Sequence, residues 1–153
     1  MPHAKKFDEN KIYTYADYLE WPEEESWEII EGVPYSMSPA PLRKHQDIAL
    51  KLTLKLGNHL EGKKCRLYPA PFDVRLVSDE KEHEESITTV VQPDLSVICD
   101  KTKLDKKGCI GAPDLIIEIL SKTTAYKDES EKLKLYEKHG VKEYWIVNPE
   151  AEY

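Results

Sequence analysis

The segment Asp114–Leu120, DLIIEIL, restricts the fold more than any other part of the chain. Strand alternation sends Leu115, Ile117 and Ile119 to one face and Ile116, Glu118 and Leu120 to the other. Both faces are apolar, as in a central strand covered on each side. An unpartnered carboxylate is costly in that setting, or takes up a proton. Glu118 therefore implies a metal ion, a buried cationic partner or a reaction. A structural salt bridge is the alternative.

Local signals on either side of this strand give a single α/β (α+β) domain of 153 residues. Thr14 caps a short helix, YADYLEW, that stops at Pro22. SWEIIEGVPYSM reads as a β-hairpin turning at Glu31–Gly32. A helix spans Leu42–Leu60 and ends near Gly62. Residues Cys65–Val77 carry a first core strand, and Ser78–Ser86 form a solvated acidic loop. ITTVVQPDLSVICD carries the second strand, a Lys-rich loop covers Lys101–Lys107, and APDLIIEIL is the third. The last helix runs Ala125–His139, with Thr124 as N-cap and Gly140 at C′, and VKEYWIVN is the fourth strand. The core order is αβββαβ: a mixed central sheet flanked by helices, plus an N-terminal hairpin. Residues 1–12 are expected to be flexible.

No stretch is apolar enough for a membrane span, and MPHAKKFDENK lacks the apolar region of a signal peptide. The three cysteines, Cys65, Cys99 and Cys109, are an odd set without CxxC spacing. They read as reduced thiols in a cytoplasmic protein, with no zinc knot and no disulfide framework. The net charge of −7 argues against a polyanionic partner only until its distribution is considered. Asp17–Glu31 holds seven acids and no base, whereas Arg43–Arg66 holds seven bases against Asp47 and Glu61. A local field matters more to a polyanion than the total. Phosphate-binding glycine loops, GxSxG and HExxH are absent, and the aromatic residues are too scattered to form a stacking platform.

Asp94 follows Pro93, which cannot donate to a ladder and so marks a strand start. Asp at such a place is also a common turn residue. If it neighbours Glu118, the two carboxylates can share a hard divalent cation, most naturally Mg²⁺. On the last helix Lys132 falls on the inward face with Leu135 and Tyr136, and Lys134 lies roughly 200° away on the solvent side. Lys132 is thus a candidate for orienting a nucleophile or steadying developing charge; an i,i+4 pair with Asp128 is the plainer reading. On the helix Leu42–Leu60, His45 shares the apolar face with Ile48, Leu52 and Leu56, where a histidine is either packed or functional. Lys44, Lys51 and Lys55 form a separate stripe suited to tracking phosphates.

EIIEGVPYSMSPAP with His45, PFDVRL, QPDLSVICD, GAPDLIIEILS and KDESEKLKLYEKHGVKEYWIVNP together resemble the Uma-two family of restriction-endonuclease-like proteins, from about Tyr13 to Pro149. That resemblance implies a PD-(D/E)xK nuclease fold, Mg²⁺ (with Mn²⁺ as a substitute) as cofactor, and nucleic acid, most naturally DNA, as substrate. Asp94 matches the first acid and Glu118 the second. The lysine expected two residues after Glu118 is replaced by Leu120, and the resemblance places it at Lys132. Asp73 and His45 match further polar positions, Asp73 as an additional metal ligand. The resemblance also implies strands beyond YWIVNP, where this chain ends, so an exposed sheet edge and a homodimer are expected. A catalytically silent nucleic-acid-binding or regulatory module with the same fold is the alternative function.

Overall fold

The computed structural model describes residues 7–37, 41–79, 81–121 and 127–150, with side chains left out at 127–129. Helix α1 (Tyr15–Leu19) starts at Thr14, whose side chain accepts from the Asp17 N–H while Asp17 returns the bond to the Thr14 N–H. The hairpin β1 (Trp27–Ile30) and β2 (Val33–Ser36) turns at Glu31 and Gly32, whose φ values of 49° and 82° define the primed turn that twisted strands favour. Helix α2 (Arg43–Leu60) follows.

The first and second core strands of the sequence are each broken by proline into two. The first becomes β3 (Arg66–Pro69) and β4 (Asp73–Arg75), with Pro71 between them. The second becomes β5 (Val90–Val91) and β6 (Leu95–Ile98), with Pro93 between them. Proline cannot donate to a ladder, so at each break the chain leaves one sheet and enters another. The Lys101–Lys107 segment is not a plain loop: a turn of 3₁₀-helix leads into β7 (Leu104–Asp105), which pairs with β8 (Gly108–Ile110). Then come β9 (Leu115–Ile119), a π-helical turn over Lys127–Lys132, α3 (Leu133–His139) and β10 (Glu143–Val147). Gly140 ends α3 in the left-handed conformation at φ 82°. Thr124 and Ala125, where the last helix was expected to begin, lie outside the described residues.

Two sheets result, ordered β2-β1-β5-β4-β8-β7 and β10-β9-β6-β3. The second is the expected mixed sheet: β3, β6 and β9 are antiparallel neighbours, and β10 returns parallel to β9 after α3. With α2 packed on β3 and β9, the order α2-β3-β6-β9-α3-β10 is αβββαβ. A core cluster joins both sheets to α3 through Ile30, Val74, Val91, Ile98, Ile116, Leu135 and Tyr136.

The cysteine expectation is overturned. Cys65 and Cys99 form a disulfide, and only Cys109 is free, buried under β4. Arg66 pairs with Ile98, so the next step of the antiparallel ladder sets Cys65 opposite Cys99. Counting the cysteines could not reveal that register. The cytoplasmic expectation loses two of the three free thiols that formed part of its basis. Among the described residues no helix is long and apolar enough to cross a membrane.

Candidate active site

Glu118 is the last residue but one of β9, on the face that meets α3. Lys132, the last residue of the π-helical turn, lies against it, its Nζ donating to Glu118 Oε1 at 2.9 Å. The same ammonium donates to Glu28 Oε2 in β1 at 3.1 Å. Tyr136, one helical turn further on, donates its hydroxyl to Glu118 Oε1 at 3.0 Å, and the Gln92 N–H donates to Glu28 Oε2 at 2.9 Å. Glu28, Lys132 and Glu118 are only 2%, 3% and 4% exposed, so two carboxylates share one ammonium away from water. Burial drives the Tyr136 hydroxyl well above its usual pKa, keeping it a donor across the neutral range. Lys134 is exposed. The Asp128 side chain lies outside what is described.

Asp94 marks the entrance to β6. Leu95 pairs with Ile117, so one step along the ladder Asp94 stands opposite Glu118. Its Oδ2 accepts from the Ile119 N–H at 2.7 Å, replacing the ladder bond that Pro93 interrupts. Its Oδ1 is 3.3 Å from His45 Nε2, near the N-terminal end of α2. Asp114, after Pro113, makes the matching contact at the other end of the same strand pair: its Oδ2 accepts from the Cys99 N–H at 2.7 Å. Burial raises the Asp114 carboxyl, but that N–H and the Lys142 ammonium outweigh it and leave the group below the ordinary range. Both Pro-Asp pairs thus clamp the β6–β9 ladder. They differ in their second oxygen, which meets a lysine at Asp114 and a histidine at Asp94. The Nδ1 of that histidine is buried without a hydrogen-bond partner among the described residues.

The described contacts therefore bring together Glu118, Lys132, Glu28 and Tyr136, and separately Asp94 with His45. Asp73 belongs to neither group. Its Oδ1 accepts from the Tyr18 hydroxyl at 2.9 Å and from Gln92 Nε2 at 2.8 Å. Lys44, Lys51 and Lys55 are exposed along α2. Sequence reasoning passed over Glu28, Tyr136 and Gln92. Glu28 carried the same signal as Glu118, a carboxylate in an apolar strand, but it was counted within the acidic run Asp17–Glu31.

Among the described residues no three His, Cys, Asp or Glu side chains gather as a cage for a metal ion. The donors nonetheless suit Mg²⁺, which keeps several waters and is held through one or two carboxylates plus substrate phosphate. Asp94 and Glu118, opposed on adjacent strands, supply that number.

An αβββαβ core with carboxylates on neighbouring strands and a lysine from the following helix defines a nuclease-like fold. The model of the Uma2 family, described as "Putative restriction endonuclease", matches residues 15–153, and the chain belongs to that family. A crystal structure from Anabaena variabilis, described as a "putative nuclease belonging to DUF820", superposes with a TM-score of 0.68. That match covers 91% of this chain and 81% of the other at 22% identity, so the likeness is one of fold. The uncharacterized protein slr1290 of Synechocystis is 29% identical over 122 residues. The match takes in 78% of this chain but only 60% of that relative's length.

Proposed function

We propose that the protein is a metal-dependent nuclease that hydrolyses phosphodiester bonds, with DNA as the substrate. The observation that carries this reading is the buried Lys132 held between Glu118 and Glu28, with Asp94 opposite Glu118 in the register of the β6–β9 pair. Asp94 and Glu118 would hold Mg²⁺, with Mn²⁺ able to replace it. Such an ion lowers the pKa of a bound water and neutralises charge on the scissile phosphate. Lys132, fixed by two carboxylates, presents one positive charge in a low-dielectric setting, where it orients the attacking water or offsets developing charge. Tyr136, buried beside it, steadies Glu118 through its hydroxyl. His45 stands against Asp94 as an auxiliary group or a proton shuttle. Lys44, Lys51 and Lys55 give the substrate backbone a cationic track on α2. Asp73, tied to Tyr18 and Gln92, is left outside the metal set.

A second reading, a catalytically silent nucleic-acid-binding module, is favoured by the closure of the Glu28–Lys132–Glu118 cluster, which has the form of a buried structural ion network. Cleavage assays on single- and double-stranded DNA and RNA with Mg²⁺ or Mn²⁺ separate the two. The nuclease reading expects cleavage that is lost in Asp94→Asn, Glu118→Gln and Lys132→Ala. Binding without cleavage by the wild type under every metal condition supports the silent module.

A further inference from the structure

Beside the candidate active site lies an open cleft of about 480 Å³, within the range that holds small ligands. One wall is aromatic. The rings of Tyr68 and Phe72 stack with centroids 4.5 Å apart and planes within 7°. Residues dispersed in the sequence thus become a preformed platform, since a further planar ring can stack on a pair whose geometry is already fixed.

The polar wall has a definite hydrogen-bonding sense. Gln92 Nε2 donates to Asp73 Oδ1 at 2.8 Å and to the Tyr18 hydroxyl at 3.0 Å, which fixes the nitrogen side of its amide. The amide oxygen of Gln92 and the Oδ2 of Asp73 make no hydrogen bond among the described residues, and neither is sealed from solvent. The cleft is therefore lined by two hydrogen-bonded neighbours, each with an acceptor to offer. Another lining carboxylate, Asp105, is occupied: Arg75 Nη2 donates to it at 2.5 Å, and the N–H groups of Lys107 and Gly108 at 2.8 and 3.0 Å. Lys106 and Lys107 line the cleft and are exposed, but the Lys107 ammonium is held by Glu84 at 3.2 Å, which leaves Lys106 as the cation for a ligand. Gly108 keeps this side close: its φ is 143°, and a Cβ there would collide with the Asp73 carbonyl oxygen. The cleft adjoins the candidate site through one residue, because the Gln92 N–H also holds Glu28, the partner of Lys132.

We propose that this cleft is a guanine-binding subsite, in which the base stacks on Tyr68–Phe72 and donates to Asp73 and Gln92 while Lys106 meets its phosphate. Guanine is the natural base with two adjacent donors, N1–H and the N2 amino group, on its pairing edge. Adenine and cytosine each present one donor beside an acceptor, and thymine or uracil one donor between two acceptors, so each sets a lone pair against the Asp73 carboxylate. The inference deepens the nuclease reading and rests on it for the source of the base, a nucleotide of the substrate strand.

The test is calorimetric titration of the full chain in EDTA with dGMP, dAMP, dCMP, dTMP and deoxyribose 5-phosphate. A nine-residue oligo(dT), with and without a central dG, forms a second arm. Expected are binding of dGMP at least tenfold tighter than of the other nucleotides and of the base-free sugar phosphate, and a comparable gain from the central dG. Tyr68→Leu should remove most of that gain, and Asp73→Asn should bring dGMP and dAMP level. Lys106→Ala, at an exposed position where folding is not at stake, should weaken all nucleotides by a similar factor. A preference for dGMP without any gain from the central dG would assign the site to free nucleotide and overturn the substrate-strand source. Equal binding of all ligands, or none at millimolar concentration, would overturn the subsite. Cleavage assays distinguish the two failures: metal-dependent cleavage without guanine preference removes the subsite and leaves the nuclease. Guanine preference in EDTA without cleavage under any metal does the reverse.

Discussion

At the scale of single residues, the Lys132 ammonium bridges Glu28 and Glu118, and that bridge can be tested. Lys132→Met would remove a buried cation from both carboxylates, at a cost of roughly 3–5 kcal/mol by urea unfolding. Glu118→Gln in EDTA should change stability by less than about 1 kcal/mol, because Lys132 keeps Glu28 and the amide oxygen can still accept from Tyr136. Excess Mg²⁺ should stabilise the wild type by a few kcal/mol and leave Glu118→Gln unmoved. A large loss for Glu118→Gln in EDTA, with no Mg²⁺ effect on the wild type, would make the cluster a structural ion network. Much of this cluster was legible in sequence: a carboxylate inside DLIIEIL demands a partner, and the face shared with Leu135 and Tyr136 selects Lys132 over Lys134. Glu28 was not legible, because an acidic run looks solvated until the hairpin is folded onto β5 and its WEII strand is seen to be covered.

At the scale of elements, the αβββαβ order was readable because period-2 and helical patterns change sharply at Pro and Gly. The division of two core strands between two sheets was not, since a proline read as a strand boundary says nothing of where the chain goes next. The Cys65–Cys99 pairing depends on the same register. That bond closes a loop with a sequence separation of 34 between β3 and β6. Reduction, or Cys65→Ser with Cys99→Ser, should lower stability by about 2–4 kcal/mol. Thiol titration should find one buried sulfhydryl before reduction and three after it in denaturant; three reactive thiols without reductant would show that the bond does not form. The C-terminal end of α3 supplies a pH-sensitive contact. His139 Nδ1 lies 3.1 Å from the Val77 carbonyl oxygen, and burial lowers its pKa below the ordinary value of 6.5. The unfolded chain therefore binds the proton first as pH falls through about 6.5. Stability present above that pH is lost below it, down to the folded-state pKa. His139→Gln should flatten that part of the urea stability curve, and an unchanged slope would assign it elsewhere.

At the scale of the whole molecule, the β10 edge of the second sheet stands out. Among the described residues β10 pairs with β9 alone, and its Trp145 and Ile146 are 41% and 37% exposed on opposite faces. Apolar side chains on both faces of an unpaired edge favour continuation of the sheet by another strand. A second copy related by a two-fold axis supplies one without open-ended growth, because β10 against β10 is antiparallel and self-complementary. Such a pair would also carry two sites, one for each strand of a duplex. We therefore expect a dimer of about 35 kDa, twice the 17.7 kDa chain, by sedimentation at tens of micromolar protein. Trp145→Lys adds charge to the edge opposite Ile117, on the face away from Glu118, and should yield monomer with an unchanged circular dichroism spectrum. In that monomer nicking of one DNA strand should persist while paired cleavage of both strands falls. A wild-type species of 17.7 kDa at the same concentration would rule the edge out as an interface.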